Sequence, residues 1–174
     1  DGFTVGNDDG WNTSGEDVRV WCWNEDATSG FDMVTYTGNG SARTISHSLS
    51  AVPNWMIVKV RDTSDGWFIY HSKNTSAPQT DFIRLDITDT TTDQSNIWND
   101  TAPTSSVFSV GSDGGVNANT ESYIAYLWRQ KQGFSKFGKY LGNNNADGPF
   151  VYCGFKPAFV LLRNTDSAQN WFIY

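Results

Sequence analysis

The chain is poor in cysteine, in histidine and in positive charge, and each shortage narrows the chemistry open to it. Two cysteines, Cys22 and Cys153, are too few for a disulfide framework. They fall at non-equivalent points of the repeat described below and are read as buried free thiols, with a single disulfide as the alternative. Two histidines, His47 and His71, with two unspaced cysteines do not make a zinc site. No G-x-S-x-G is present to pair with either histidine in a hydrolytic triad. Lys and Arg total 12 against 19 acidic residues, for a net charge of −7, and no basic run occurs. An extended phosphate-binding face is thereby excluded, and with it nucleic acid as a partner. No apolar stretch approaches the ~20 residues that span a bilayer, so membrane insertion is not expected. No charged-then-hydrophobic leader opens the sequence. Helical stripes of useful length are missing too.

What is abundant is aromatic. Phe, Trp and Tyr make up 15% of the chain, beside 16 glycines and many Thr, Ser, Asn and Asp between short apolar runs. That is the profile of strands joined by polar turns. The strongest feature is internal repetition. Trp67-Phe68-Ile69-Tyr70 recurs as Trp171-Phe172-Ile173-Tyr174, an offset of 104. At the same offset Tyr36 and Gly38-Asn39 meet Tyr140 and Gly142-Asn143, Pro53 meets Pro157, and Asp62 meets Asp166. Phe3, Val5, Gly6, Asp8, Gly10, Asn12, Glu16 and Trp23 fall on Phe108, Val110, Gly111, Asp113, Gly115, Asn117, Glu121 and Trp128 at an offset of 105. Length changes in the turn near Gly133-Phe134, which answers Gly30-Phe31, absorb the difference of one.

One complete repeat of about 105 residues is therefore expected over 31–129. Residues 1–30 read as the C-terminal part of a preceding unit, and 130–174 as the N-terminal part of a following one. Neither part contains a counterpart of 71–107, so the ends are not expected to be natural domain boundaries. Alternation and β-branched or aromatic content predict strands near 3–5, 17–23, 31–37, 43–48, 54–61, 66–71, 81–87, 106–110, 121–128, 134–141, 149–153, 157–164 and 170–174. Residues 88–103, rich in Thr and Asp, read as a long loop. The expected fold is all-β: an antiparallel β-sandwich of Greek-key or jelly-roll type, built from tandem repeats.

Candidate sites are few. Trp11 and Trp98 each lie in a polar stretch, where an aromatic ring can stack on a sugar or anchor a partner chain; folding back as a lid on the core is the alternative. Asp8 and Asp9, and Asp86, Asp89 and Asp93, gather oxygens of the kind Ca2+ requires, but without the spaced calcium-loop pattern, and Asx turns explain them equally. Glu16 and Glu121 are repeat equivalents, which argues against an opposed catalytic acid pair. No catalytic residues are predicted, and the chain is not read as an enzyme. Trp23, Tyr36, Trp67, Tyr70, Trp128, Tyr140, Trp171 and Tyr174 recur in matched positions and are read as the structural core of the repeat.

Several strings carry a resemblance. They include Tyr36-Thr37-Gly38-Asn39-Gly40, the segment Asn99 to Gly111, Tyr123-Ile124-Ala125-Tyr126, Gly133 to Gly138, and Asp147-Gly148-Pro149-Phe150-Val151-Tyr152. Together they resemble an uncharacterised β-rich repeat domain of fibre-like structural proteins in marine tailed phages, over nearly the whole chain. The resemblance implies a virion-surface or extracellular location and a structural, fibre-building role. The implied partners are copies of itself or other fibre subunits, with cell-surface glycans as contacts in adhesion. It carries no catalytic residues. A carbohydrate-binding module of a secreted or cell-surface protein is the competing expectation.

Overall fold

The computed structural model describes residues 2–174; Asp1, the first residue of the 1–30 segment, lies outside them. The fold is all-β and every named strand pairing is antiparallel. Eight strands fall between residues 31 and 128: β1 (Phe31–Thr37), β2 (Arg43–Ser46), β3 (Trp55–Val60), β4 (Trp67–His71), β5 (Asp81–Arg84), β6 (Thr92–Asp93), β7 (Val107–Val110) and β8 (Ser122–Trp128). Six of them form one sheet in the order β1-β8-β3-β4-β5-β6, and β2 pairs with β7 separately. The last strand of the set lies inside the sheet, one strand in from the β1 edge. Both edges of β8 are taken: Trp128 stands opposite Phe31 on one side and Trp55 on the other.

Period-two alternation sorts the side chains of the large sheet onto two faces. Met56, Val58 and Val60 of β3 and Tyr123, Ala125 and Leu127 of β8 point inward. There they pack against Ile45, Phe108 and Val110 from β2 and β7. Two single-turn helices complete that cover: α2 (Ser95–Trp98) contributes Ile97 and Trp98, and α3 (Gly114–Asn117) contributes Val116. The outer face holds Phe31, Ile57, Ile69, Ile83 and Trp128, with Trp55, Trp67 and Tyr126 beside them.

A buried amide ties the inner cover together. Asn117 is fully buried, and its Nδ2 donates to the Ser41 and Gly111 carbonyls, both at 2.7 Å. Its Oδ1 accepts from the Asn39 backbone N–H. Gly111 is obligatory here by close approach, since a Cβ would lie 2.0 Å from the Asn96 carbonyl oxygen. The 88–103 segment, expected to be a plain loop, contains both β6 and α2. Its apolar pair Ile97-Trp98 is drawn into the core, and Asn99 ends the turn in the left-handed region at φ 54.

The flanking segments hold little regular structure: the one-turn helix α1 (Asp9–Asn12), which precedes the sheet, and the short strands β9 (Leu161–Leu162) and β10 (Phe172–Ile173). The strands expected at 3–5, 17–23, 134–141 and 149–153 are not formed. Their sequences alternate correctly, but a strand persists only when a neighbour takes its backbone N–H and C=O groups. These four have no such neighbour among the described residues. Local geometry nevertheless recurs at the sequence offset. β10 pairs with β9 as Phe172↔Leu162 and Ile173↔Leu161, matching Phe68↔Val58 and Ile69↔Ile57 between β4 and β3. Asp8 caps Gly10 N as Asp113 caps Gly115 N. Asn12 Nδ2 donates to the Gly6 carbonyl at 2.6 Å, as Asn117 does to Gly111.

Replacing Asn117 with Ala strands buried carbonyls and should cost on the order of 3 kcal/mol in urea unfolding. Asn12→Ala, at the exposed counterpart, should cost less than about 1 kcal/mol. Equal losses would show that the buried hub does not carry this part of the fold.

Candidate functional site

The structure separates the two candidate contact tryptophans. Trp11 stands on the Asp9–Asn12 turn and is 53% exposed. Trp98 is 1% exposed, packs edge-on against Tyr70, and donates its Nε1–H to the Asp81 carbonyl at 3.0 Å. It is a core residue and presents no face to a ligand, which corrects the expectation of a loop contact. The polar neighbours Asn96 and Asn99 hid an apolar pair that the core could absorb.

The carboxylates do not converge. Asp8 caps its turn by accepting from Gly10 N at 2.7 Å, and Asp9 starts the same turn. Asp86 accepts from Arg84 Nη2 at 2.7 Å and from the Trp67 backbone N–H at 2.9 Å. Burial raises its proton affinity, but these bonds outweigh burial and hold its carboxyl below the usual range. Asp93 lies on the edge strand β6 opposite Asp81, and the Asp89 carbonyl accepts from Arg163. Among the described residues no group of three or more potential metal ligands comes together. The sulfur chemistry also needs correction: both thiols are free, but Cys22 is exposed and Cys153 half-buried.

The residues read as the repeat core divide by position. Tyr70 and Trp128 are buried, and Tyr36 and Trp67 half-buried, in the 31–128 sheet. Tyr36 donates its hydroxyl to the Val116 carbonyl at 2.7 Å, and burial pushes its phenol well above the ordinary value. Their counterparts are far more open: Trp23 is 48% exposed, Tyr140 53% and Tyr174 75%. Trp171 is half-buried, donating Nε1–H to the Arg84 carbonyl at 2.9 Å. In the flanks the opposing layer that buries the first set is not in place.

A second aromatic cluster lies on the outer face of the sheet, with Phe31 and Trp128 buried at its centre. Trp55 stacks on Trp128 at 4.6 Å, Phe31 lies 4.9 Å from Trp128, and Trp23 meets Trp128 edge-on at 5.9 Å. Phe137 continues the row from Trp55 to His71. Beyond it, Asp86, Thr88, Asn170 and Trp171 line an open groove of about 410 Å³. Sequence reasoning missed Phe137 and Trp55 as neighbours, because they are distant in the chain and joined only by the turn after Trp128.

His71 ends β4 at this field. Its Nδ1 accepts from the Lys73 backbone N–H at 3.0 Å, which requires the neutral ring. Burial lowers its proton affinity; a backbone bond of its own partly opposes this, and the Lys73 charge adds a smaller lowering. His47 is lowered by burial as well, partly offset by its bond to Thr104 and the Asp32 charge.

The whole chain, residues 1–174, matches the profile of a family described as "Domain of unknown function (DUF7483)". No curated protein and no solved structure matches it.

A histidine held below its unfolded value of about 6.5 leaves the unfolded state binding more protons, so stability is complete above that pH and declines as pH falls through it. Urea midpoints measured between about pH 7.5 and 5.5 should fall, and His71→Gln should flatten part of the slope. A slope unchanged in His71→Gln would remove His71 from the account.

Proposed function

We propose that this chain, which belongs to the DUF7483 family, is a non-enzymatic structural protein of a virion surface or extracellular fibre, built from tandem β-sandwich units of about 105 residues. The observation that carries the reading is the recurrence of the β3–β4 hairpin register in β9–β10, 104 residues on. Conserved register at a fixed offset is what a modular array requires, because each unit then presents the same edges to its neighbours. The joints support it as well. Asp26 bridges to Phe31 after a left-handed Gly30, and Lys131 bridges to Ser135 around a left-handed Gly133. In this reading, 31–129 is one sandwich: the six-stranded sheet forms one layer, and β2–β7 with the two short turns forms the other. The sequence resemblance to fibre-like repeat domains of tailed phages points the same way.

A second reading, a carbohydrate-binding module, draws on the half-exposed Trp11 ring. Flat aromatic faces stack on sugar rings, and such a contact would also serve adhesion.

Gold-labelled antibody against this chain should decorate particles or filaments from the source under the electron microscope. Label confined to a soluble fraction would overturn the fibre reading. On a glycan array the chain should be inert. Binding that Trp11→Ala abolishes would instead establish the carbohydrate-binding module.

A further inference from the structure

Between residues 31 and 128 an Asn or Asp stands directly before glycine at Asn39-Gly40, Asp65-Gly66 and Asp113-Gly114. Such pairs are chemically labile, because a glycine nitrogen can attack the preceding side-chain Cγ without a Cβ in the way. The attack forms an N–Cγ bond. It expels ammonia from Asn, or water from protonated Asp, with the nitrogen's proton leaving alongside, and closes a succinimide ring. Water then opens the ring at either carbonyl, and opening at the main-chain carbonyl leaves isoaspartate, with one extra methylene in the backbone. By intrinsic chemistry Asn39-Gly40 is the fastest of these pairs, since an amide reacts at neutral pH while a carboxylate must first take up a proton.

The structure reverses that order. The Gly40 N–H donates to the Asn117 carbonyl at 2.8 Å, and Gly40 is fixed in the left-handed region at φ 69. Asn39 Oδ1 accepts from the Ser41 N–H at 3.0 Å and from Asn117 Nδ2 at 3.2 Å. The attacking nitrogen and the amide it would attack are thus each committed elsewhere. Asp113 is held in the same sense. Its Oδ1 accepts from the Gly115 N–H, one residue beyond the attacking position, and its Oδ2 from Gln94 and Asn96.

Asp65 differs. It is exposed in the loop between β3 and β4, and the Gly66 N–H bonds its Oδ1 at 2.6 Å. That contact brings the nitrogen to the ~3–3.5 Å from Cγ of a near-attack arrangement. Among the described residues this carboxylate has no second hydrogen bond to hold it. Asp32 accepts from the Met33 N–H in the same way at 3.0 Å, but it is buried, its other oxygen accepts from the Ser48 N–H, and the attacking residue carries a side chain.

We propose that Asp65-Gly66 is the site of spontaneous isoaspartate formation in the 31–128 sheet, and that Asn117 shields Asn39-Gly40 from the same chemistry. The only co-reactant is water. The extra methylene would fall just before Trp67, whose N–H bonds Asp86 and which stands opposite Lys59 in the end rung of the β3–β4 hairpin. Gly66 also lies against the Arg84 guanidinium, so lengthening the backbone there disturbs the Arg84–Asp86 pair.

Asp65→Asn in the full chain separates structure from chemistry, because one molecule then carries two Asn-Gly pairs. The substitution keeps the Oδ1 that the Gly66 N–H bonds. In the folded variant at neutral pH, the mass gain of deamidation should appear at position 65 at least about tenfold faster than at Asn39, which must wait for local opening. In urea the two positions should react at similar rates. In the unchanged chain, label from an isoaspartyl methyltransferase followed by peptide mapping should appear at Asp65 ahead of Asn39 and Asp113. Equal rates at the two positions in the folded variant, or label at Asn39 or Asp113 first in the unchanged chain, would overturn the proposal.

Discussion

The constraint on which the structure depends is the placement of β8 between β1 and β3. The strand is the last of the eight in sequence but is interior in the sheet, so β1 cannot join the sheet until residues near 31, 55 and 128 have met. Once they meet, every edge inside the sheet is satisfied, and side chains from three distant segments are committed to one face or the other. The Trp128 ring records this, touching Phe31 across one pairing and Trp55 across the other. In the flanks the β9–β10 pair forms, but residues 17–23 and 149–153 have no strand partner among the described residues, and Trp23, Tyr140 and Tyr174 stay open. Sequence that is nearly interchangeable by pattern is thus ordered in one place and bare in another. Completion of the ladder makes the difference.

The second requirement is polar. A sheet open on its inner face needs a lid, and the lid here combines the β2–β7 pair with two single-turn helices whose ends leave polar backbone groups to be satisfied. Asn117 ties the lid by bonding two separate backbone segments, the 39–41 turn and Gly111, from one buried amide. Buried amides are costly unless their bonds are made, so the hub also selects one arrangement of the lid over near alternatives. Trp98 acts similarly from α2, with its ring in the core and its N–H on the β5 backbone.

Much of this was legible in the sequence, and the gaps have physical causes. The strands of the 31–128 sheet other than β6 follow from alternation, and the Trp-Phe-Ile-Tyr repeat led to a hairpin whose register does recur. The capped turns at Asp8 and Asp113 were visible as matched Asp, Gly and Asn, although Asn117's role as a hub was not. A single strand's sequence states its face but not its partner, which is why 17–23 and 134–141 looked like β8 and β1 yet are unpaired. Trp98 was misjudged because neighbours in sequence are poor witnesses of burial. The Ile97-Trp98 pair followed by an Asn suited to a left-handed stop was the available clue. Of the acidic stretches, hydrogen bonds place the Asp8 carboxylate in a turn cap and the Asp86 carboxylate in an ion pair with Arg84.

The corner where the chain enters and leaves the sheet has a mechanical meaning. Gly30 and Arg129 adjoin there, joined by the Arg129 N–H to the Gly30 carbonyl at 2.9 Å, while Phe31 and Trp128 form the first rung of the β1–β8 ladder. Tension applied through the two ends of the unit would therefore peel that ladder one rung at a time, not shear all its rungs together. Each rung resists with only its own hydrogen bonds and side-chain contacts. Strung in series, such units would lengthen under modest load by opening one after another. The Arg129 guanidinium, clamped on the Ala27 carbonyl, is the first catch that a pull would have to release.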